Sequence, residues 1–176
     1  MIKTLYLGFD ESYGTGNKEN SVLVVCPSVS PPEIYGTGKF EKKRHLEREA
    51  LEQDFLYVRE RESTIRSNGP LLCVALAHEG IRRYGQGYNQ VELLLDGEKI
   101  WGNGFLEQLC LHPMIDPEGV SLIPQGDTRL ELLNKADHLA HTLRTIHSTR
   151  KVNQDRVKRI FGDPDRVRDY LERFRV

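Results

Sequence analysis

Residues 3–12 read KTLYLGFDES, a run of mostly apolar residues that ends in two acids and a serine. Such a run predicts a β-strand over residues 3–9, with Asp10 immediately after it. Residues 21–26, SVLVVC, have the same character and predict a second strand. The connection between the two is polar and contains glycine, so an antiparallel hairpin is the simplest arrangement. The chain therefore begins with two antiparallel strands, the first of which leads directly into an acid.

Beyond this pair, predicted strands and helices alternate. Apolar residues recur at three and four positions from Pro70 to Gly85, which predicts a helix, and residues 91–95 predict a strand that stops at Asp96. The other predicted elements are a helix up to Gln53, a strand over 55–58, a helix over Trp101 to Leu109, a strand over 120–123, a helix from Asp127 to about Ile146, and a helix from Asp163. This order favours an α/β fold with a mixed sheet covered by helices over a doubly wound nucleotide-binding fold.

The composition is that of a soluble globular protein. The 176 residues are 38% hydrophobic and 29% charged, which fits a single domain over residues 1–176. No apolar run approaches the roughly 20 residues that a membrane-spanning helix needs, so no membrane association is expected. The three cysteines, Cys26, Cys73 and Cys110, form no CxxC pair and suggest buried free thiols in a reducing compartment. Together with an N-terminus that lacks a secretory signal, they predict a cytoplasmic protein.

Charge is unevenly distributed along the chain. The net charge is −1, but residues 144–176 contain ten Lys or Arg against five Asp or Glu. We therefore expect a basic helical C-terminal segment at about 148–176, able to hold a polyanion beside acidic residues. The alternative, which composition alone favours, is a pair of solvated amphipathic helices.

Three aspartates are placed where a site is expected. Asp10 and Asp96 each follow a predicted strand, and ligands of open sheets tend to lie at strand ends. Asp137 lies inside the last long helix, one turn before His141, although aspartate is a poor residue for a helix interior. Carboxylates gathered in one place repel each other, and a hard divalent cation such as Mg²⁺ or Mn²⁺ is the usual neutralising group.

Three short motifs carry a resemblance to a known family. LGFDES at 7–12 looks like the first-strand motif of type 2 ribonucleases H and also resembles ribonuclease H-like proteins whose first strand ends in D-E-S-G. LLLDG at 93–97 resembles the central strand of the type 2 enzymes, and LNKADHLA at 133–140 is similar to their archaeal K-A-D segment and to a helix of type 1 enzymes. The loop SYGTG at 12–16 lacks the arginine with which type 2 enzymes touch the RNA strand.

The resemblance implies a ribonuclease H-like fold with helices on both faces of a mixed sheet. It also implies that Asp10, Glu11, Asp96 and Asp137 occupy metal-binding, catalytic positions. The function it predicts is a Mg²⁺- or Mn²⁺-dependent nuclease that uses water to hydrolyse phosphodiester bonds, with RNA or an RNA/DNA hybrid favoured. His141 would move protons or product, and basic residues near the C-terminus would bind the nucleic-acid backbone.

Other interpretations remain open at this point. The domain could be a non-catalytic module that binds nucleic acid or protein, or a phosphohydrolase acting on a small molecule. Four of the acids also have a purely structural interpretation: Asp10 and Asp96 as turn residues, Glu11 as a solvated side chain, and Asp127 as a helix cap. His138 and His147 are expected at the surface.

Overall fold

The computed structural model of the chain describes residues 2–13, 21–41, 54–60, 62–97 and 102–149. These residues form a mixed five-stranded sheet accompanied by helices, which confirms the predicted α/β class. The strands are β1 (Thr4–Ser12), β2 (Ser21–Ser28), β3 (Leu56–Glu60), β4 (Gln90–Asp96) and β5 (Ile115–Ile123). The helices are α1 (Glu62–Tyr84), α2 (Gly102–Leu109), α3 (Gly126–Arg129) and α4 (Glu131–Thr149).

The sheet has the strand order β3-β2-β1-β4-β5. β2 pairs antiparallel with both β1 and β3, whereas β4 pairs parallel with β1 and with β5. The predicted antiparallel start is therefore confirmed. Parallel pairing of β1 with β4 needs a long crossover, and α1 supplies it. β1 thus lies at the centre of the sheet, where its side chains meet helices on both sides.

Successive side chains of a strand point to opposite faces, so the sheet carries two apolar clusters. The α1-side cluster includes Leu5, Leu7, Phe9, Leu23, Leu72, Leu76, Leu93, Leu95, Phe105 and Leu109. The α4-side cluster comprises Tyr6, Val22, Val24, Cys26, Phe55, Tyr57, Leu94, Ile123, Leu130, Leu132, Leu133, Ala136, Leu139, Ala140 and Leu143. Helix α4 comes so close to the sheet that a Cβ atom on Gly8 would lie 2.7 Å from the Cγ atom of Leu132.

Several predicted boundaries differ from the structure. β1 continues to Ser12 because its pairing with β2 extends past Asp10, so this acid lies inside the strand and not after it. Helix α1 begins at Glu62, well before its predicted start, and Pro70 lies inside it. The helix predicted from Asp127 is two helices, because the backbone of Leu130 between them is extended, with φ −132° and ψ 123°.

Several sequence predictions fall outside the described residues: the helix up to Gln53 from residue 42 onward, Trp101, the helix from Asp163, and the basic segment from residue 150 onward. Cys26 and Cys73 are buried free thiols as predicted, whereas Cys110 is free but only partly buried. None of the helices in the described part of the chain is long and apolar enough to cross a membrane.

Candidate functional site

Asp10 and Asp96 lie side by side on the α4 face of the sheet. The parallel register pairs Phe9 with Leu95, so the residue after each of these, Asp10 and Asp96, is adjacent at the same end of the two strands. Asp10 is also opposite Val24, and Asp96 is opposite Ile123. Val24 and Ile123 both belong to the α4-side cluster. Since paired residues share a face, both carboxylates point toward α4.

Asp137 approaches the same place from α4. This helix buries Leu133, Ala136 and Ala140 against the sheet, and Asp137 lies one turn after Leu133 with a partly buried side chain. The charge of Asp137 raises the pKa of Asp10, as does that of Asp96. The structure therefore brings the three predicted aspartates, Asp10, Asp96 and Asp137, into one electrostatic environment.

The pKa of Asp10 lies well above its usual range. Burial of the carboxyl group is the largest cause, followed by the negative charge of Asp137, with smaller contributions from Asp96 and Asp127. The backbone N–H of Glu11 donates to Asp10 Oδ1 at 2.7 Å, which opposes this shift. When burial and neighbouring negative charges raise the pKa of a carboxyl group, a cation placed among those charges stabilises its ionised form.

This shift predicts how the stability of the metal-free protein depends on pH. A raised folded-state pKa means that the folded protein binds the Asp10 proton more tightly than the unfolded chain, whose aspartates titrate at about 3.9. The contribution of Asp10 to stability is thus present below that pH and is lost as the pH rises through the folded-state pKa. Asp10→Asn removes this loss, so the variant should be the more stable protein at neutral pH in EDTA.

Chemical denaturation of both proteins across pH, in EDTA, measures this difference. Asp116→Asn is the matched control, because Asp116 is exposed on β5 and its Oδ1 accepts a hydrogen bond from the Glu118 N–H that an asparagine can keep. The control should follow the wild-type pH dependence. If Asp10→Asn is no more stable than wild type at neutral pH, the pKa of Asp10 is not raised in the folded protein and this prediction is wrong.

Asp96 is held by backbone donors. The N–H of Gly126 donates to Asp96 Oδ1 at 2.8 Å, and the N–H of Asp127 lies 3.4 Å from Oδ2. The approach is close because residue 126 has no side chain: a Cβ atom there would lie 2.3 Å from Leu133 Cδ1 and 3.4 Å from Asp96 Oδ1. The carboxylate therefore links the end of β4 to the start of α3, and this link fixes its orientation.

We expect Asp96→Ala to loosen this connection. A hydrogen bond to a charged group contributes about 1.5 to 3 kcal/mol, so the Gly126 amide should exchange its hydrogen roughly ten- to a hundredfold faster in the variant. Asp96→Asn keeps an acceptor at Oδ1 and should retain most of the protection. Hydrogen exchange followed by NMR on the metal-free proteins measures both. If the Gly126 amide exchanges at the wild-type rate in Asp96→Ala, the hydrogen bond to Asp96 does not stabilise this connection.

Asp127 is a fourth acid of the site, and sequence reasoning assigned it to a different role. The predicted helix cap is wrong, since the N-cap of α3 is Gln125, in a left-handed conformation with φ 54°. Asp127 is only 2% exposed, and its charge contributes to the raised pKa of Asp10. The signal that could have identified it is its position shortly after a strand, the criterion that selected Asp10 and Asp96.

Glu11 lies on the other face of the sheet. Its neighbour Asp10 points toward α4, so strand alternation directs Glu11 toward α1. On that side, burial is the main cause of the raised pKa of the Cys73 thiol of α1, and the charge of Glu11 raises this pKa further. The structure thus separates the Glu11 side chain from the face that carries the aspartates, and its role as a metal ligand stays a prediction.

His141 lies one turn after Asp137 on α4, and its Nδ1 atom is 3.1 Å from Nη2 of Arg144. The prediction that His138 is a surface residue is wrong, because its side chain is buried and its Nε2 lies 3.3 Å from the Glu41 carbonyl oxygen. The side chain of His147 lies outside the described residues.

The ligand chemistry of the site suits a hard cation, since the acids offer only carboxylate oxygens. Among the side chains that the structure describes, however, no group of three or more His, Cys, Asp or Glu is arranged to hold a metal ion. The donor type therefore fits Mg²⁺ or Mn²⁺, while the described arrangement lacks a closed set of ligands.

A separate cleft of about 270 Å³ lies between the loop after β2 and the start of α4. Tyr35, Glu131 and Lys135 are among the residues that line it, and none of the four aspartates is. The carboxylate site and this cleft are thus distinct places on the molecule. Searches against family models, curated proteins and solved structures found no match to this chain.

Proposed function

We propose that this protein is a divalent-metal-dependent nuclease of the ribonuclease H-like type, which hydrolyses phosphodiester bonds of RNA or of an RNA/DNA hybrid. The observation that carries the proposal is the convergence of Asp10, Asp96, Asp127 and Asp137 from four different elements on one face of the sheet. A fold gains no stability from gathering like charges, so such a cluster is typical of a functional site.

The architecture supports the proposal. A sheet that starts antiparallel, continues with the parallel strands β4 and β5 and carries helices on both faces is the arrangement that the family resemblance implies. In such a sheet the acids of β1 and β4 are neighbours because the two strands are parallel and in register. Their proximity is therefore a property of the topology.

In the proposed site, Asp10, Asp96 and Asp137 would hold Mg²⁺ or Mn²⁺, with Asp127 close by. When bound, the metal would supply a nucleophilic water and stabilise charge on the departing oxygen of the phosphodiester. The chain's own contribution is orientation. The backbone N–H groups of Gly126 and Asp127 set the carboxylate plane of Asp96, and the packing of α4 on β1 sets the position of Asp137 relative to Asp10.

A second candidate function is a non-catalytic module that binds nucleic acid or protein. Both oxygens of Asp96 receive backbone N–H groups, as expected for an acid whose role is structural. In that case the acids would serve the fold, and the domain would bind nucleic acid without cutting it. A small-molecule phosphohydrolase, the remaining alternative, would need an enclosed pocket at the reacting groups.

A cleavage panel tests the proposal. The full chain is incubated with labelled single- and double-stranded RNA, single- and double-stranded DNA, and RNA/DNA hybrid, each with Mg²⁺, Mn²⁺ or EDTA. The proposal expects cutting of RNA or of hybrid that depends on the metal. Salt-dependent binding without cutting under any condition would support the non-catalytic module instead. Neither binding nor cutting would remove both functions.

A further inference from the structure

Helix α4 carries an arginine–histidine pair next to the aspartate site. Asp137, His141 and Arg144 are separated by four and three residues, so they follow one another along the same side of the helix. The side chains of His141 and Arg144 are partly buried, and Nη2 of the arginine lies 3.1 Å from Nδ1 of the histidine. This contact determines which nitrogen of the imidazole carries the proton.

A guanidinium group has N–H donors and no acceptor. In its hydrogen bond with Arg144, Nδ1 of His141 must therefore be the acceptor and must carry a lone pair. A neutral imidazole has one N–H, so the proton is on Nε2. In this tautomer Nε2 donates a hydrogen bond, and neither nitrogen is available as a metal ligand.

We propose that Arg144 is a positioning residue that holds His141 in the Nε2–H tautomer, and that this N–H donates to a non-bridging oxygen of the substrate phosphodiester beside Asp137. The inference rests on the proposed nuclease function and refines it, because it assigns His141 to the phosphate and not to the metal. The ligand class it implies is a phosphodiester whose anionic oxygen lies close to α4. The positive charge of Arg144 next to the ring also favours an anion there.

The tautomer is tested first, without any substrate. A long-range ¹H–¹⁵N correlation spectrum of protein with ¹⁵N-labelled histidine, recorded at about pH 8 where imidazoles are neutral, distinguishes protonated from unprotonated ring nitrogens. Wild type should show His141 as a single Nε2–H tautomer. Arg144→Met, which has similar length and no donor, should show a mixture. Arg82→Met is the matched control, because Arg82 is an exposed arginine of α1 that pairs with Glu79. An unchanged His141 spectrum in Arg144→Met overturns the proposal.

Two substitutions of His141 test the phosphate contact, because one retains a donor near the position of Nε2 and the other does not. His141→Gln can place an amide N–H near the position of Nε2, whereas His141→Asn reaches only that of Nδ1. Cleavage of RNA/DNA hybrid in Mg²⁺ at low substrate concentration should stay within about threefold of wild type for the glutamine variant. It should fall about tenfold or more for the asparagine variant, as expected for the loss of a hydrogen bond to a charged group.

The cleavage rates of the glutamine and asparagine variants decide whether Nε2–H of His141 donates to the phosphate. An asparagine variant that cuts as fast as wild type, or a glutamine variant as slow as the asparagine variant, overturns the donor role. Wild-type protein that cuts no hybrid removes the proposed function, and the contact with the phosphodiester is rejected with it. The histidine spectrum still decides whether Arg144 sets the tautomer, so failure of the proposed function and failure of this inference are distinguishable.

Discussion

Replacing Asp137 with asparagine is expected to lower metal-dependent cleavage of RNA or hybrid by about a thousandfold. The substitution keeps the size of the side chain and removes one negative charge from the site it shares with Asp10 and Asp96. Loss of a charged metal ligand typically removes several kcal/mol of transition-state stabilisation, and roughly 4 kcal/mol corresponds to that factor. Asp10→Asn should have an effect of the same order, because both carboxylates would act on one metal site.

The rate loss has to be separated from loss of the fold. Thermal unfolding of Asp137→Asn in EDTA should be no less cooperative than that of wild type, and relief of repulsion should make the variant at least as stable. Added Mg²⁺ should stabilise wild type and leave the variant unchanged, since a ligand that binds only the folded state raises its stability. Asp116→Asn, an exposed acid of β5, should retain both cleavage and the response to Mg²⁺. Full activity in Asp137→Asn would reject the assignment of cleavage to this aspartate site.

Much of the aspartate site can be predicted from local sequence. Asp10 and Asp96 follow apolar strand residues, and the strand ends of a mixed sheet are where a site is expected. Asp137 stands out because aspartate is unfavourable in a helix interior. That these acids share one face depends on the register Phe9 to Leu95 and on the placement of α4, which are tertiary properties. No local sequence pattern predicts this register or the placement of α4.

The predictions for Asp127 and His138 were wrong for the same reason: both depend on tertiary structure. Asp127 matches the pattern of a helix cap, and only the extended backbone of Leu130 shows that the long helix begins after it. His138 directly follows the charged Asp137, and no local pattern predicts that its side chain is buried. It is covered because the loop after β2 returns to α3 and α4, where Phe40 N–H donates to the Thr128 carbonyl and Asn134 Nδ2 donates to that of Glu41.

Pro70 illustrates a related limit of local rules. Proline lacks the N–H that a helix interior needs, so the pattern predicts a helix that starts there. The chain instead begins α1 at Glu62. Tertiary packing of the following residues, among them Leu72 and Leu76 in the α1-side cluster, stabilises the helix against this local cost.

The second large effect is expected at the contact between β1 and α4. A Cβ atom on Gly8 would lie 2.7 Å from Cγ and 3.2 Å from Cδ2 of Leu132, closer than carbon atoms pack. Gly8→Ala should therefore lower the free energy of unfolding by about 2 kcal/mol, in the range of overpacked cores. Leu132→Ala alone should cost about 2–3 kcal/mol, because it removes a side chain that is only 6% exposed.

The double variant decides whether this contact is the reason for the glycine. With Leu132 shortened, the methyl group at residue 8 occupies space that the leucine has left, so Gly8→Ala should cost less in Leu132→Ala than in wild type. A favourable coupling of about 1 kcal/mol or more in a double-mutant cycle, measured by denaturant unfolding, is the expected result. If the two substitutions lower the free energy of unfolding additively, Gly8 is needed for its backbone conformation and not for the close approach of α4. Because α4 carries Asp137 over Asp10, a shift of this helix in Gly8→Ala should also slow cleavage, and the second substitution should restore part of the rate.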